Sequence, residues 1–125
     1  MATVIARYDD GDERTGYASA AVVGGRFVSV SGDRVAGNIS YATTSAGAKA
    51  HGVARTDAAI TTTFPVSSGS SKVVQVQATN ATIAAGADVE VGANGMAQTK
   101  NTGIAVGYAV QNCAANGLAE ISLYV

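Results

Sequence analysis

Val74-Gln75-Val76-Gln77-Ala78 alternates apolar and polar side chains without a break. Successive side chains of an extended strand point to opposite faces, so Val74, Val76 and Ala78 share one face and the two glutamines the other. This is the pattern of a strand buried on one side. The same period of two returns in Val28-Ser29-Val30-Ser31, in Asp88-Val89-Glu90-Val91 and in Glu120-Ile121-Ser122-Leu123-Tyr124-Val125, with the charged or polar partners expected on the opposite face. Four segments with one pattern predict an all-β fold.

Turn chemistry punctuates these runs. Gly24-Gly25, Ser31-Gly32-Asp33, Ser67-Ser68-Gly69-Ser70, Gly92-Ala93-Asn94-Gly95 and Asn116-Gly117 fall between apolar segments, where Gly and Asn supply the positive φ of tight turns. Pro65 has no N–H to donate and is expected on an edge strand or at a strand end. The Ala-rich stretches around 43–50 and 80–87 are broken by Gly47 and Gly86, so no more than short helical turns are expected there.

The chain also repeats itself. His51-Gly52-Val53-Ala54-Arg55-Thr56-Asp57-Ala58-Ala59 aligns with Val106-Gly107-Tyr108-Ala109-Val110-Gln111-Asn112-Cys113-Ala114, 55 positions further on. Both copies place Gly and Ala on a strand with a nearly flat face that lets a neighbour approach closely, then an Asp or Asn able to cap a turn. Gly52 and Gly107 are therefore the candidate close-packing positions. A further β run follows each copy, read as 72–78 for the first and 119–125 for the second. The expected fold is all-β, a compact β-barrel or β-sandwich with a pseudo-two-fold internal repeat, its two β units closing on one core.

Residues 1–20 differ from the rest. Arg7, Asp9, Asp10, Asp12, Glu13 and Arg14 crowd into eight positions, with Tyr8 among them and Tyr17 just beyond. Such a stretch buries little apolar surface, so 1–20 is expected to be an extended N-terminal arm and 21–125 a single β domain. At 125 residues the chain suits one domain.

Composition narrows the function. Charged residues are 14% of the chain and sum to a net charge of −1. Eight basic residues scattered among nine acidic ones lack the Lys/Arg excess that phosphate backbones demand, so no nucleic-acid partner is expected. A weakly charged surface repels copies of itself poorly, which favours self-association. No apolar run reaches the length of a membrane span or precedes the acidic residues as a signal peptide would, so synthesis in the cytosol and no membrane partner are expected.

The residues of catalysis are scarce. One histidine, His51, and one cysteine, Cys113, stand at non-equivalent positions of the two repeat copies, which disfavours a nucleophile and base pair. His51 reads as a partly exposed strand residue and Cys113 as a small core residue. Zinc would need more Cys and His ligands, and Asp9-Asp10-Gly11-Asp12-Glu13 lacks calcium-loop spacing. No catalytic residue, metal or cofactor is expected, and the chain reads as no enzyme.

The stretches Ala84-Ala85-Gly86-Ala87-Asp88-Val89-Glu90-Val91-Gly92-Ala93-Asn94-Gly95, Gly103-Ile104-Ala105-Val106-Gly107-Tyr108-Ala109 and Ala114-Ala115-Asn116-Gly117-Leu118-Ala119-Glu120-Ile121 resemble the small capsid decoration, or cement, proteins of tailed bacteriophages. The resemblance spans 84–123 well and 49–78 loosely. It implies a virion protein made in the bacterial cytoplasm that sits on the outer capsid surface as a homotrimer or other symmetric homo-oligomer. Its implied partner is the major capsid protein, whose subunits it clamps together. The arm residues Arg7, Tyr8, Arg14 and Tyr17 are then the candidate capsid contacts. The competing class is a non-enzymatic β-sandwich binding module of adhesin or carbohydrate-binding type, which the dispersion of the five tyrosines disfavours.

Overall fold

The computed structural model describes residues 13–125 and contains ten strands: β1 (Glu13–Ala18), β2 (Phe27–Val35), β3 (Asn38–Thr43), β4 (Gly52–Ala54), β5 (Thr63–Ser67), β6 (Val73–Gln77), β7 (Asp88–Val91), β8 (Ala97–Thr99), β9 (Gly107–Ala109) and β10 (Leu118–Leu123). A single 3-10 turn at Ala93–Gly95 is the helical content of the described residues. The all-β expectation holds.

The strands form two sheets of five. The first is a closed barrel, β1-β3-β2-β4-β5, and the second runs β6-β10-β9-β7-β8. Starting the first ring at β1 and walking through β5, β4, β2 and β3 gives the order of the second with five added to every strand number. The closures differ. A parallel ladder over Gly16↔Ile39, Tyr17↔Ser40 and Ala18↔Tyr41 seals the first barrel, whereas a single parallel bridge, Ala78↔Ala97, joins the ends of the second sheet.

Hydrogen bonds repeat with the topology. Val22 and Ala58 exchange two backbone bonds, as do Ile83 and Cys113. Gly25, at φ 76°, donates to Ala54, and Gly86, at φ 84°, donates to Ala109. The Asp/Asn of the repeat also plays one part twice: Asp57 Oδ1 accepts the Gly24 N–H at 2.7 Å, and Asn112 Oδ1 the Ala85 N–H at 2.8 Å. These bonds tie the loop before β2 or β7 to the turn after β4 or β9.

Three expectations need correction. Glu13–Ala18 is a strand built into the barrel, pairing with β5 over five register positions and with β3 over three, so the arm boundary at residue 20 is wrong for these residues. Residues 1–12 lie outside those described. The strand that completes the first unit is β5, not 72–78; β6 instead opens the second unit, taking the place that β1 has in the first. Pro65 lies inside β5, between β1 and β4, and not at an edge. Its carbonyl accepts from Arg55 on the β4 side at 3.0 Å, but the return bond of that pair would need a Pro65 N–H, and the β4 ladder ends at Ala54.

The units also have two apolar clusters, not one. Ala18, Val22, Val28, Tyr41, Ala54, Phe64 and Val66 fill the first barrel. The second barrel's interior, centred on Val76, Val89, Val106 and Ile121, takes in Phe27, Ala50 and Val53 from the first. Phe27 is wholly buried, so the junction between barrels is continuous with a core and holds the two units together. Backbone bonds from Gln77 to Gly25 and from Gly47 to Val91 cross the same junction.

Candidate functional site

The four proposed arm contacts do not converge. Arg7 and Tyr8 lie outside the described residues. Arg14 and Tyr17 stand three apart on β1, so their side chains leave opposite faces of the strand. Arg14 turns towards the barrel interior, where Nη1 lies 3.4 Å from His51 Nε2, while Tyr17 is half-buried on the outside.

His51 is partly exposed, as its sequence context suggested, and lies directly before β4. Its Nδ1 lies 2.7 Å from the hydroxyl of Tyr41, a residue with no exposed surface, and the two rings stack at 5.5 Å. Arg14 can only donate, so Nε2 accepts and the proton of the neutral ring is assigned to Nδ1, which donates to Tyr41 Oη. Burial, then the charges of Arg14 and Lys49, push the His51 pKa below its ordinary 6.5. The unfolded chain therefore takes up a proton at a higher pH than the folded one. Stability is unaffected by this group above about pH 6.5 and falls as the pH drops from there towards the folded value. The melting midpoint is expected to decline between about pH 7 and 5.5 in the native chain and to decline less in His51→Gln, a window above the ordinary carboxylate range. Equal slopes in both chains would rule His51 out as the source.

Gly52 and Gly107 occupy equivalent places on β4 and β9. A Cβ on Gly52 would lie 2.6 Å from the Ser67 carbonyl oxygen and 2.8 Å from Val66 Cγ1; on Gly107 it would lie 2.5 Å from the Ser122 carbonyl oxygen and 2.7 Å from Ile121 Cγ2. Cys113 is a buried core residue. Among the described residues no group of three His, Cys, Asp or Glu side chains is placed to hold a metal ion.

One buried charge escaped the sequence reading. Glu90 lies opposite Val89 and Val91 as the alternation requires, yet it is 4% exposed. Its carboxylate is roofed by the loops carrying Gly47 and Gly103, and Oε1 accepts the Asn101 N–H. A side chain on Gly103 would collide with both Glu90 Oε2 and Gly47 Cα. Backbone bonds from Gly47 N–H to Val91 and from Ile104 N–H to the Gly47 carbonyl join these loops beside it.

Two surface features remain. A cleft of about 460 Å³ runs between the barrels, bordered by Ala54, Arg55 and Ser67 on one side and by Val73, Gln75 and Leu118 on the other. Arg55 is ion-paired with Glu13 at its rim, a contact that contributes little where both side chains are about half exposed. The second feature is the outer face of β6, β10 and β9. There Tyr108 and Tyr124 meet at 5.8 Å, and the Tyr124 hydroxyl donates to Asp88 Oδ1 at 2.8 Å, a bond that raises the Tyr124 pKa. This arrangement offers a contact surface.

No protein-family model matches the chain, and no curated protein sequence does. Among solved structures, the fold is similar to the crystal structure of the head fibre gp8.5 N base in bacteriophage phi29. The TM-score is 0.71 at 20% identity, and the match covers 90% of this chain and 92% of that one. The paired-barrel architecture is therefore shared nearly end to end.

Proposed function

We propose that the chain is a structural protein of a tailed-bacteriophage head, an outer-surface module that binds the assembled capsid as a symmetric homo-oligomer and reinforces contacts between major capsid subunits. The observation that carries this reading is the near-complete fold match to the base of a phage head fibre. The motif resemblance over 84–123 to cement proteins points the same way from independent features. The role needs surfaces, and surfaces are what the fold supplies: small side chains packed into two thin barrels, with exposed apolar residues on the outside.

The test is to incubate the purified chain with expanded shells that lack it, measure co-pelleting, and locate the added density by electron cryomicroscopy. Saturable binding on the outer face is expected, with a rise in the temperature at which the shells disassemble. Binding without that rise would keep the head-surface location and discard the reinforcing role. An absence of binding to expanded shells would overturn the proposal.

A further inference from the structure

β6 keeps one free edge. Its ladder with β10 runs from Leu118↔Gln77 to Ser122↔Val73, and just beyond each end a backbone bond joins the next pair, Ala78 N–H to the Gly117 carbonyl and Leu123 N–H to the Lys72 carbonyl. Bonded pairs alternate along an antiparallel ladder, so Val74 and Val76 also bond to β10, while Val73, Gln75 and Gln77 turn N–H and C=O towards the other edge. Gln77 shows the direction: its N–H donates to Gly25 of the first barrel at 2.8 Å. Among the described residues, β8 reaches that edge at the Ala78↔Ala97 bridge and no strand pairs there with Val73 or Gln75. Lys72, Val73 and Gln75 instead line the cleft, across from Val53, Arg55 and Ser67. An unpaired edge that lines a cleft is a template for an added strand.

We propose that residues 1–12 of the same chain pair with this edge as an added strand, filling the cleft and strapping the two barrels together. Chain connectivity selects the occupant. Residues 1–12 enter β1 at Glu13, which pairs in register with Ser67 and is ion-paired with Arg55, both on the cleft wall, so the segment starts at the cleft's rim. Twelve extended residues reach about 40 Å, more than twice the roughly 17 Å of a five-residue strand such as β6. Thr3-Val4-Ile5 is a β-branched run suited to a strand, and Val53, Val73 and Leu118 give the cleft apolar walls to receive it. Charge agrees locally. The lining carries Arg55 and Lys72 and no acid, with Glu13 at the rim and Glu120 beside Gln75 on β10, and the segment carries Arg7 against Asp9, Asp10 and Asp12. The acids stand in the part of the segment next to Glu13, and hence nearest the cations of the cleft.

Amide hydrogen exchange in the full chain, followed by NMR, tests it. The Val73 and Gln75 amides are expected to be protected although β10 does not bond them, and to exchange about tenfold faster or more in a Val4→Asp, Ile5→Asp double variant, whose changes leave every described strand intact. Gln75→Pro removes one donor of the free edge and none of the β10 ladder, a place where proline is tolerated. It is expected to melt cooperatively yet to be cut by trypsin after Arg7 about tenfold faster than the native chain, as a segment freed from its partner strand is. Val73 and Gln75 amides that exchange as fast as those of an open loop in the native chain would overturn the proposal. So would protection that the double variant leaves unchanged, since another occupant would then hold the edge. Protection that disappears on dilution would assign the added strand to a second copy of the chain and overturn the pairing within one chain.

Discussion

Removing residues 1–20 is expected to abolish cooperative folding of the first barrel. β1 is the stave between β5 and β3, joined by five antiparallel register pairs on one side and three parallel ones on the other. Without it both neighbours become open edges, with backbone donors and acceptors facing water and free to pair with other chains. The apolar loss is as serious: Ala18 leaves the core, and Tyr41, Phe64 and Val66, all buried, lose the wall that covers them. A domain holds only about 5–15 kcal/mol of net stability, too little to absorb the loss of a barrel strand. The expected result is no sigmoidal thermal transition for the first unit, together with aggregation. A chain starting at Glu13 keeps all of these pairs and is expected to melt cooperatively. If the chain starting at residue 21 melted at the full-length midpoint, β1 would have no structural part.

Why β1 was misread is itself physical. Its inward positions are Arg14, Gly16 and Ala18, none of them a large apolar residue, so the alternation that marks β6, β7 and β10 is absent. The volume is filled from another strand: a Cβ on Gly16 would lie 2.4 Å from Tyr41 Cδ2. A strand that contributes space and not side chains to its core carries no hydrophobic pattern. The nearby charge cluster then pulls the reading towards an arm.

The repeat was legible because its residues act through local backbone geometry. Gly permits a close strand approach, and Asp57 and Asn112 cap turns a fixed distance after β4 and β9. The same alternation that located β7 was silent about Glu90, because period two says which residues share a face and not what covers it. Gly47 and Gly103, which roof that carboxylate, are remote from it in sequence. The difference in exposure between the two sheets was hidden for the same reason. Val53 and Tyr108 look equivalent along the chain, yet the first is buried by a barrel and the second is open.

Gly52→Val and Gly107→Val are expected to destabilise the protein by similar amounts, each about 1–3 kcal/mol, the usual cost of forcing extra atoms into a packed site. The obstacle at each position is foremost a carbonyl oxygen of the neighbouring strand, Ser67 or Ser122, at 2.6 and 2.5 Å from the added Cβ. Backbone in a ladder cannot rotate aside as a side chain does, so the strands must part. Even Ala at these positions is expected to cost stability, and Val adds two methyl groups to the clash. Gly32→Val is the control: it too lies on a strand, but a Cβ there meets nothing within 4 Å. Urea unfolding followed by circular dichroism should show both repeat variants with lowered midpoints and the control near native. Similar shifts at positions 52 and 107 are required by the similar contacts. A native midpoint for both would show that close strand approach is not what these glycines secure, and a large shift at one alone would show that the two barrels are alike in topology but not in packing.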